Sequence, residues 1–284
     1  MNEREYGSSE KIGGGGGTLD LSRFTLDPNG RIFFTSLTLV NKPGALASTL
    51  SLLAKHEINI IGILSESISK KEVVEISMFI ETPSPANASE LESKLRDEMS
   101  REKIEVVKEL RVFEHLKGFD ADVYHFPLTV GPIRAVVFPL PVLVAMVKTL
   151  RTTLNPTAVQ TILWYMGREI GSSMKTGHER AFAVKDAHSI SALLRVHLAL
   201  LGWGLMEVTE LDEEKRSATI RLFDNWECII FKGSNEPQSH FIRGVLAGFF
   251  SSLFKVEVEA KETKCIAKGD SYCEFEIKEK KKTS

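Results

Sequence analysis

Apolar and polar positions change period several times along this chain, and each change marks an element. Ile32, Phe33, Phe34, Leu37, Leu39 and Val40 have the β-branched and aromatic density of a strand over residues 31–40, and Asn41-Lys42-Pro43-Gly44 stops it. Leu46, Leu50 and Leu53, with Ala47 and Ala54, then recur at helical spacing as far as His56. Residues 58–67 read as a second strand through Ile58, Ile60, Ile61 and Ile63. Val74, Ile76, Met78 and Ile80 alternate through a third, reached by a hairpin at Ser69-Lys70-Lys71. Residues 83–87 form a turn, 89–99 a helix with Leu91 and Leu95 inward, and 104–113 a fourth strand. The predicted order is βαββαβ, a ferredoxin-like two-layer sandwich.

Residues 114–134 have no usable period and read as a junction. Beyond it the pattern predicts a strand over 133–138 and a helix over 139–151 with Leu143, Met146, Val147 and Leu150 on one face. Asn155 caps a further helix with Pro156 at its first position; its stripe is Val159, Ile162, Leu163, Met166 and Ile170. Another helix spans 187–201 with Ile190, Leu193, Leu194, His197, Leu198 and Leu201 on one face, ended by Gly202-Trp203-Gly204. Strands follow at 205–211 and through Ala218, Ile220 and Leu222. Ser239 opens a helix of Ile242, Val245, Leu246, Phe249, Phe250 and Leu253, whose Gly244 and Gly248 admit a close neighbour. Val256, Val258 and Ala260 alternate toward Glu262, and Lys268-Gly269-Asp270-Ser271 turns the chain into Cys273, Phe275 and Ile277. The segments are a flexible tail at 1–30, the βαββαβ domain at 31–114, a junction at 115–135, a mixed α/β domain at 136–278 and a basic tail at 279–284. The fold class is α+β.

A length of 284 residues suits two domains, and a formal net charge of -2 supplies no general attraction to nucleic acid or an anionic membrane. The longest uncharged run, 13 residues between Arg134 and Lys148, contains Pro139 and Pro141 and falls short of the roughly 18–20 needed to span a bilayer. Gly13 to Gly17 lacks the strand, helix and spacing of a phosphate loop. With no signal-peptide pattern and three cysteines, the expectation is a cytoplasmic protein with reduced thiols.

Those cysteines are the chief candidate chemistry. Cys228 precedes Glu262-x2-Cys265-x7-Cys273, and the turn at 268–271 sets Cys265 and Cys273 nearly opposite each other. Three thiolates and a carboxylate suit a closed tetrahedral zinc site, with Lys261, Lys264 and Lys268 offsetting its negative charge. Three ordinary buried cysteines and an exposed strand glutamate fit the spacing equally well. His197 lies in an apolar stripe with no second titratable group at a useful spacing, while His178 and His188 fall in a polar stretch and are expected at the surface. Trp203 and Trp226 are pocket walls or core. No dinucleotide fingerprint, Ser/His/Asp set or Cys/His set stands out, which favours binding over catalysis.

Residues 39–46, Leu-Val-Asn-Lys-Pro-Gly-Ala-Leu, with Ile58-Asn59-Ile60, resemble the ACT domain, with Asn41 standing where that family usually has Asp. The resemblance implies amino-acid binding at Asn41, Gly44, Ala45, Leu46 and Asn59 across a homodimer interface. A purely local role leaves Gly44 to the turn and Asn41 to the helix cap. The motifs Gly202-Trp203-Gly204, Asp224-Asn225-Trp226-Glu227-Cys228 and Glu262-x2-Cys265-x3-Gly269-Asp270-x2-Cys273-x-Phe275 resemble the V4R (4-vinyl reductase) domain, with residues 232–238 inserted. That resemblance implies a fold similar to Bet3-type trafficking subunits. It also implies Zn2+ held by Cys228, Glu262, Cys265 and Cys273, beside a pocket for a small hydrophobic molecule. Trp203, Trp226 and His197 are candidates to line that pocket. The resulting expectation is a ligand-responsive regulator acting through a partner protein, without direct nucleic-acid or membrane binding. The alternative is an enzyme or carrier acting on a tetrapyrrole or another hydrophobic small molecule.

Overall fold

The computed structural model describes residue 21 and residues 23–65, 71–114 and 118–281. The expected turn residues Ser69 and Lys70, most of the expected N-terminal tail and the last three residues of the basic tail lie outside the described residues. The chain divides into two compact units, one ending at Phe126 and one running on from Pro127.

In the first unit β1 (Phe24–Leu26) precedes β2 (Ile32–Val40), α1 (Ala45–Lys55), β3 (Asn59–Ser65), β4 (Val73–Glu81), α2 (Ala88–Arg101) and β5 (Val107–Val112). The sheet is antiparallel in the order β3-β4-β2-β5. Phe33, Leu37 and Leu39 of β2 and Met78 and Ile80 of β4 meet Leu52 and Leu53 of α1 and Leu91, Leu95 and Met99 of α2 in one core. Asn87 caps α2 by accepting from Ser89 N and Glu90 N. Glu92 accepts from Val112 N at 2.8 Å and the Arg96 guanidinium donates to Leu110 O, so α2 side chains occupy backbone groups of the edge strand β5.

The opposite sheet face is also apolar, and the chain covers it. β6 (Phe119–Ala121) pairs antiparallel with β1, and Tyr124 stacks on Phe113 at 3.9 Å, beside Phe34. Residues 24–26 and 119–121, expected in a flexible tail and a junction, are therefore paired strands of the first unit. Phe33 and Phe34 lie on opposite faces and both are buried; Tyr124 and His125, which follow β6, meet the Phe34 ring at 6.3 and 5.8 Å, whereas Phe24, Leu26 and Phe119 of the two short strands are themselves exposed.

The second unit opens with β7 (Thr129–Val130) and β8 (Ile133–Arg134), a two-residue pairing where a strand over 133–138 was expected. Its sheet, β11 (Val258–Lys264), β12 (Cys273–Glu279), β10 (Ser217–Phe223) and β9 (Leu205–Asp212), is antiparallel in that order. The helices are α3 (Leu140–Thr153), α4 (Pro156–Phe182), α5 (Ala187–Leu200), the single turn α6 (Trp226–Ile229) and α7 (His240–Phe254). Asn155 and Asp186 cap α4 and α5 by accepting from Ala158 N and Ser189 N. The 27 residues of α4 bury Val159, Leu163, Gly167, Gly171, Lys175 and His178, whereas Ile162 and Met166 of the expected stripe are exposed. Glycine explains the difference, because α4 and α7 cross backbone against backbone. A Cβ at Gly171 would lie 2.0 Å from Val245 O, one at Gly244 2.2 Å from Trp164 O, and one at Gly248 1.9 Å from Arg168 O. Among the described residues no helix is long and apolar enough to cross a membrane.

Candidate metal centre

Four short elements deliver the candidate ligands. Asn225 accepts from Glu227 N at 3.2 Å and starts α6, which carries Cys228. Glu262 lies on β11 opposite Phe275, beside a register shift that ends the regular ladder before Lys264. Cys265 is fixed by Asp270, whose Oδ2 accepts from Cys265 N at 2.7 Å and whose own N donates to Cys265 O at 3.3 Å. Gly269, at φ 104°, makes that tight return possible and leads to Cys273 at the start of β12. One ligand atom from each of Cys228, Glu262, Cys265 and Cys273 lies within 4.8 Å of all the others, and the three cysteines are fully buried. Sulfur ligands about 2.3 Å from a zinc ion would stand roughly 3.8 Å apart at tetrahedral angles; Cys228 and Cys265 are 3.4 Å apart. The group could hold a metal ion.

Polar neighbours aim at this cluster. Asn225 Nδ2 donates to Cys228 Sγ and Cys273 Sγ, both at 3.4 Å, and Ile266 N donates to Cys273 Sγ at 3.4 Å. Ser239 Oγ is 2.8 Å from Glu262 Oε1 and 2.9 Å from Cys228 Sγ. These donors face the sulfurs, and of the three lysines expected to offset charge Lys264 donates its Nζ to Tyr272 Oη at 2.8 Å. Hydrogen bonds from the Cys228 and Cys273 thiols hold the Cys265 thiol far below its ordinary value, while the bond to Cys265 drives Cys228 far above. Burial pushes the Glu262 carboxyl up to about 8. Such a cluster holds protons that a dication would displace.

Glu227 is the neighbour that periodicity could not reveal. It is fully buried, and its two carboxylate oxygens accept from Phe241 N at 2.9 Å and Ile242 N at 3.0 Å. The carboxylate thus caps α7, a task that Ser239 leaves open by turning to the cluster. Burial raises its pKa to about 7. The sequence hints at it through its place between Trp226 and Cys228, just after a strand and inside the Asp224-Asn225-Trp226-Glu227-Cys228 motif.

The other candidates fall into separate places. Asn41, Gly44, Ala45 and Leu46 form the β2–α1 turn. Gly44 has φ 85°, no side chain caps α1, and Asn41 Nδ2 donates to Lys71 O at 2.9 Å instead of capping. Asn59 opens β3 and shares the level of Glu81 and Ile32, eight residues from Val40 along β2 and thus about 26 Å from the turn. Within one chain these five residues do not converge. Trp203 and Trp226 both pack edge-on against Phe241, at 5.3 and 5.9 Å. His197 lies elsewhere, with Nδ1 2.9 Å from Nε2 of His178, which neighbours Phe249 two turns along α7. His178, expected at the surface, is 1% exposed, so His197 does have a titratable partner. The cause is the α4–α7 crossing, which carries the buried stripe on to His178. Burial first and His197 second hold the His178 pKa down to about 4. His178 Nδ1, Ser191 Oγ and Trp226 Nε1 are buried without a hydrogen-bond partner.

With this geometry in place, comparison with known proteins gives two family matches, the ACT domain over residues 34–98 and the V4R domain over residues 218–279. An uncharacterized protein of Methanocaldococcus jannaschii is 26% identical over 121 residues, 42% of this chain and 65% of that one, so the chain spans just under two thirds of that relative. The phenol-responsive sensory domain of the transcription activator PoxR, solved with phenol, is 15% identical. It covers 51% of this chain and 77% of its own, with a TM-score of 0.48. A vinyl-4-reductase family protein from Methanocaldococcus jannaschii is 21% identical and covers 52% of this chain and 85% of its own, with a TM-score of 0.35. The mixed α+β chain carries an ACT domain followed by a V4R domain.

Proposed function

We propose that this chain is a ligand-responsive regulator whose V4R domain, held together by one Zn2+ on Cys228, Glu262, Cys265 and Cys273, binds a small hydrophobic molecule bearing a polar group. The observation that carries this reading is that His178 Nδ1, Ser191 Oγ and Trp226 Nε1 are each buried without a hydrogen-bond partner among the described residues, Trp226 beside Phe241 and His178 two turns along α7 beside Phe249. A buried donor or acceptor left unpaired costs about 1–3 kcal/mol, which a ligand hydroxyl or carbonyl would recover. Four protein donors leave no open coordination position, so the zinc is structural and the cluster is not a reaction centre.

The ACT domain adds an amino-acid site. The uncapped start of α1 at Gly44 offers backbone N–H groups to a carboxylate, with Asn41, Ala45 and Leu46 around it. β3 is the sheet edge that α2 does not reach, and Ile61 and Ile63 are exposed on it. Antiparallel pairing of β3 with a second copy would set the partner subunit's Asn59 near the turn at residues 41–46, completing the site in a homodimer. Effector binding then shifts this assembly, and an unidentified downstream protein reads the change inside the cytoplasm.

Native mass spectrometry with thermal melting tests the reading. One zinc per chain, two chains per particle and a rise in melting temperature with a simple aromatic alcohol or a free amino acid are expected. A ligand at 100 times its Kd adds about 2.7 kcal/mol. A zinc-free protein, or one whose melting is moved by none of the compounds in either class, would sink it.

A further inference from the structure

The segment after the ACT sheet is fastened by one histidine set between two carboxylates. His125 Nδ1 lies 2.8 Å from Asp122 Oδ1, and its Nε2 lies 3.2 Å from Glu75 Oε1 on β4. Asp122 Oδ1 also accepts from Tyr124 N at 3.2 Å and His125 N at 3.1 Å, folding residues 122–125 into a tight turn. Asp122 is buried and paired with Arg23, which precedes β1. Glu75 accepts from Ser36 Oγ of β2 at 2.7 Å, and that bond, ahead of the influence of His125 and of Arg111 on β5, keeps its carboxyl below the ordinary value. The His125 ring meets Phe34 edge-on at 5.8 Å, and Tyr124 completes the stack over Phe113.

Carboxylate oxygens only accept, so this geometry asks both ring nitrogens to donate, and only the imidazolium does so. A neutral ring would turn a lone pair toward one of the two carboxylates. We propose that residues 118–126 form a strap, latched by protonated His125 between Asp122 and Glu75 and released when His125 gives up its proton, which uncovers the aromatic face of Phe34, Phe79 and Phe113. Among the described residues, the charged groups tied to the latch include Asp122, Glu75, Arg23 and Arg111, and Arg111 is itself engaged by Glu109. The strap runs in sequence directly into Pro127, where the second unit begins. Its release therefore frees the chain that joins the two units.

The direction with pH follows from linkage. The closed strap binds the proton more tightly than the open one. Closure is complete on the acid side of the histidine range and is lost as pH rises through it. Hydrogen exchange of the full chain at pH 5.5 and 8.0, corrected for intrinsic rates, reads the opening of amides 119–125. In the natural sequence their protection should fall about tenfold or more, since linkage allows up to about tenfold per pH unit, while β2 and β4 amides hold steady. Glu75→Gln supplies an N–H that a neutral ring can accept and should flatten the change to within about twofold, with the strap closed at both pH values. His125→Leu should leave the strap open at both. Strap protection that ignores pH, or falls only in step with β2 and β4, would overturn the proposal. So would an undiminished pH response in Glu75→Gln, a variant that keeps the Ser36 contact and is read even if His125→Leu does not fold.

Discussion

His178 shows how a buried side chain makes a domain sensitive to acid. It sits at the α4–α7 crossing, bonded to His197 and edge-on to Phe249, and its pKa is held down to about 4, first by burial and then by His197. The folded state keeps this ring neutral, whereas an unfolded ring charges near pH 6.5. The sign is fixed by that order: the contribution is present above about pH 6.5 and drains away as pH falls toward 4. The melting temperature of the second unit should therefore drop across this window, and His178→Phe should show a shallower drop; equal slopes would assign the effect to other groups. Asn225 makes a different kind of contribution. It donates to two of the three sulfurs and also reaches Ser239 Oγ at 2.9 Å. Asn225→Ala should weaken zinc binding by about 10–100-fold in a chelator competition while leaving all four ligands in place.

Among the elements, the α4–α7 pair is held by absence of side chains. Gly171→Ala would push a Cβ to 2.0 Å from a backbone carbonyl, with no flexible side chain to give way, and should destabilise the second unit by about 2–3 kcal/mol or more. Gly177 lies on the same helix with nothing within 4 Å of its virtual Cβ. Gly177→Ala should instead stabilise by up to about 1 kcal/mol, through helix propensity alone. Denaturant midpoints of the two variants moving in the same direction would contradict the crossing. The same crossing marks a limit of reading periodicity. Leu46, Leu50 and Leu53, or Val74 to Ile80, announce their elements because apolar side chains repeat at the element's own period. Gly167 and Gly171 carry the buried face of α4 without a hydrophobic signal, so a stripe read from apolar side chains takes in the exposed Ile162 and Met166 beside the buried Val159 and Leu163. Likewise β1 and β6 are three residues each, too short to show alternation. The cysteine cluster was legible because a tight turn and a strand lie between its members. Asn225 and Ser239, which bond to it, and Glu227, which caps α7 beside it, carry no spacing rule of their own.

At the scale of the whole molecule, the candidate metal centre belongs entirely to the second unit, drawing α6, the start of α7, β11 and β12 to one point. The first unit has a separate core built on Phe33, Leu37, Leu52 and Leu95. Removal of the proposed Zn2+ should therefore divide the molecule energetically. Structural zinc supplies an apparent 10–16 kcal/mol in small domains, about as much as the whole stability of an ordinary one, about 5–15 kcal/mol. A strong chelator should thus melt the second unit and leave the first folded. Hydrogen exchange would read this as lost protection in α7 and β12 with β2 and β4 unchanged, and added Zn2+ should restore it. Simultaneous loss in both units would mean that they fold as one cooperative body, and no loss in either would mean that the apolar contacts of α4, α7 and β12 hold the second unit without a metal. Between these outcomes the buried carboxylates decide the expectation. Glu262 and Glu227 are each raised by burial, to about 8 and about 7, and a core containing both beside three thiols is poorly matched to apolar packing alone. A dication at the centre gives Glu262 and the sulfurs a common partner, and it leaves Glu227 to tie α6 to the start of α7, so that the helix and the ligands it borders are ordered or lost together.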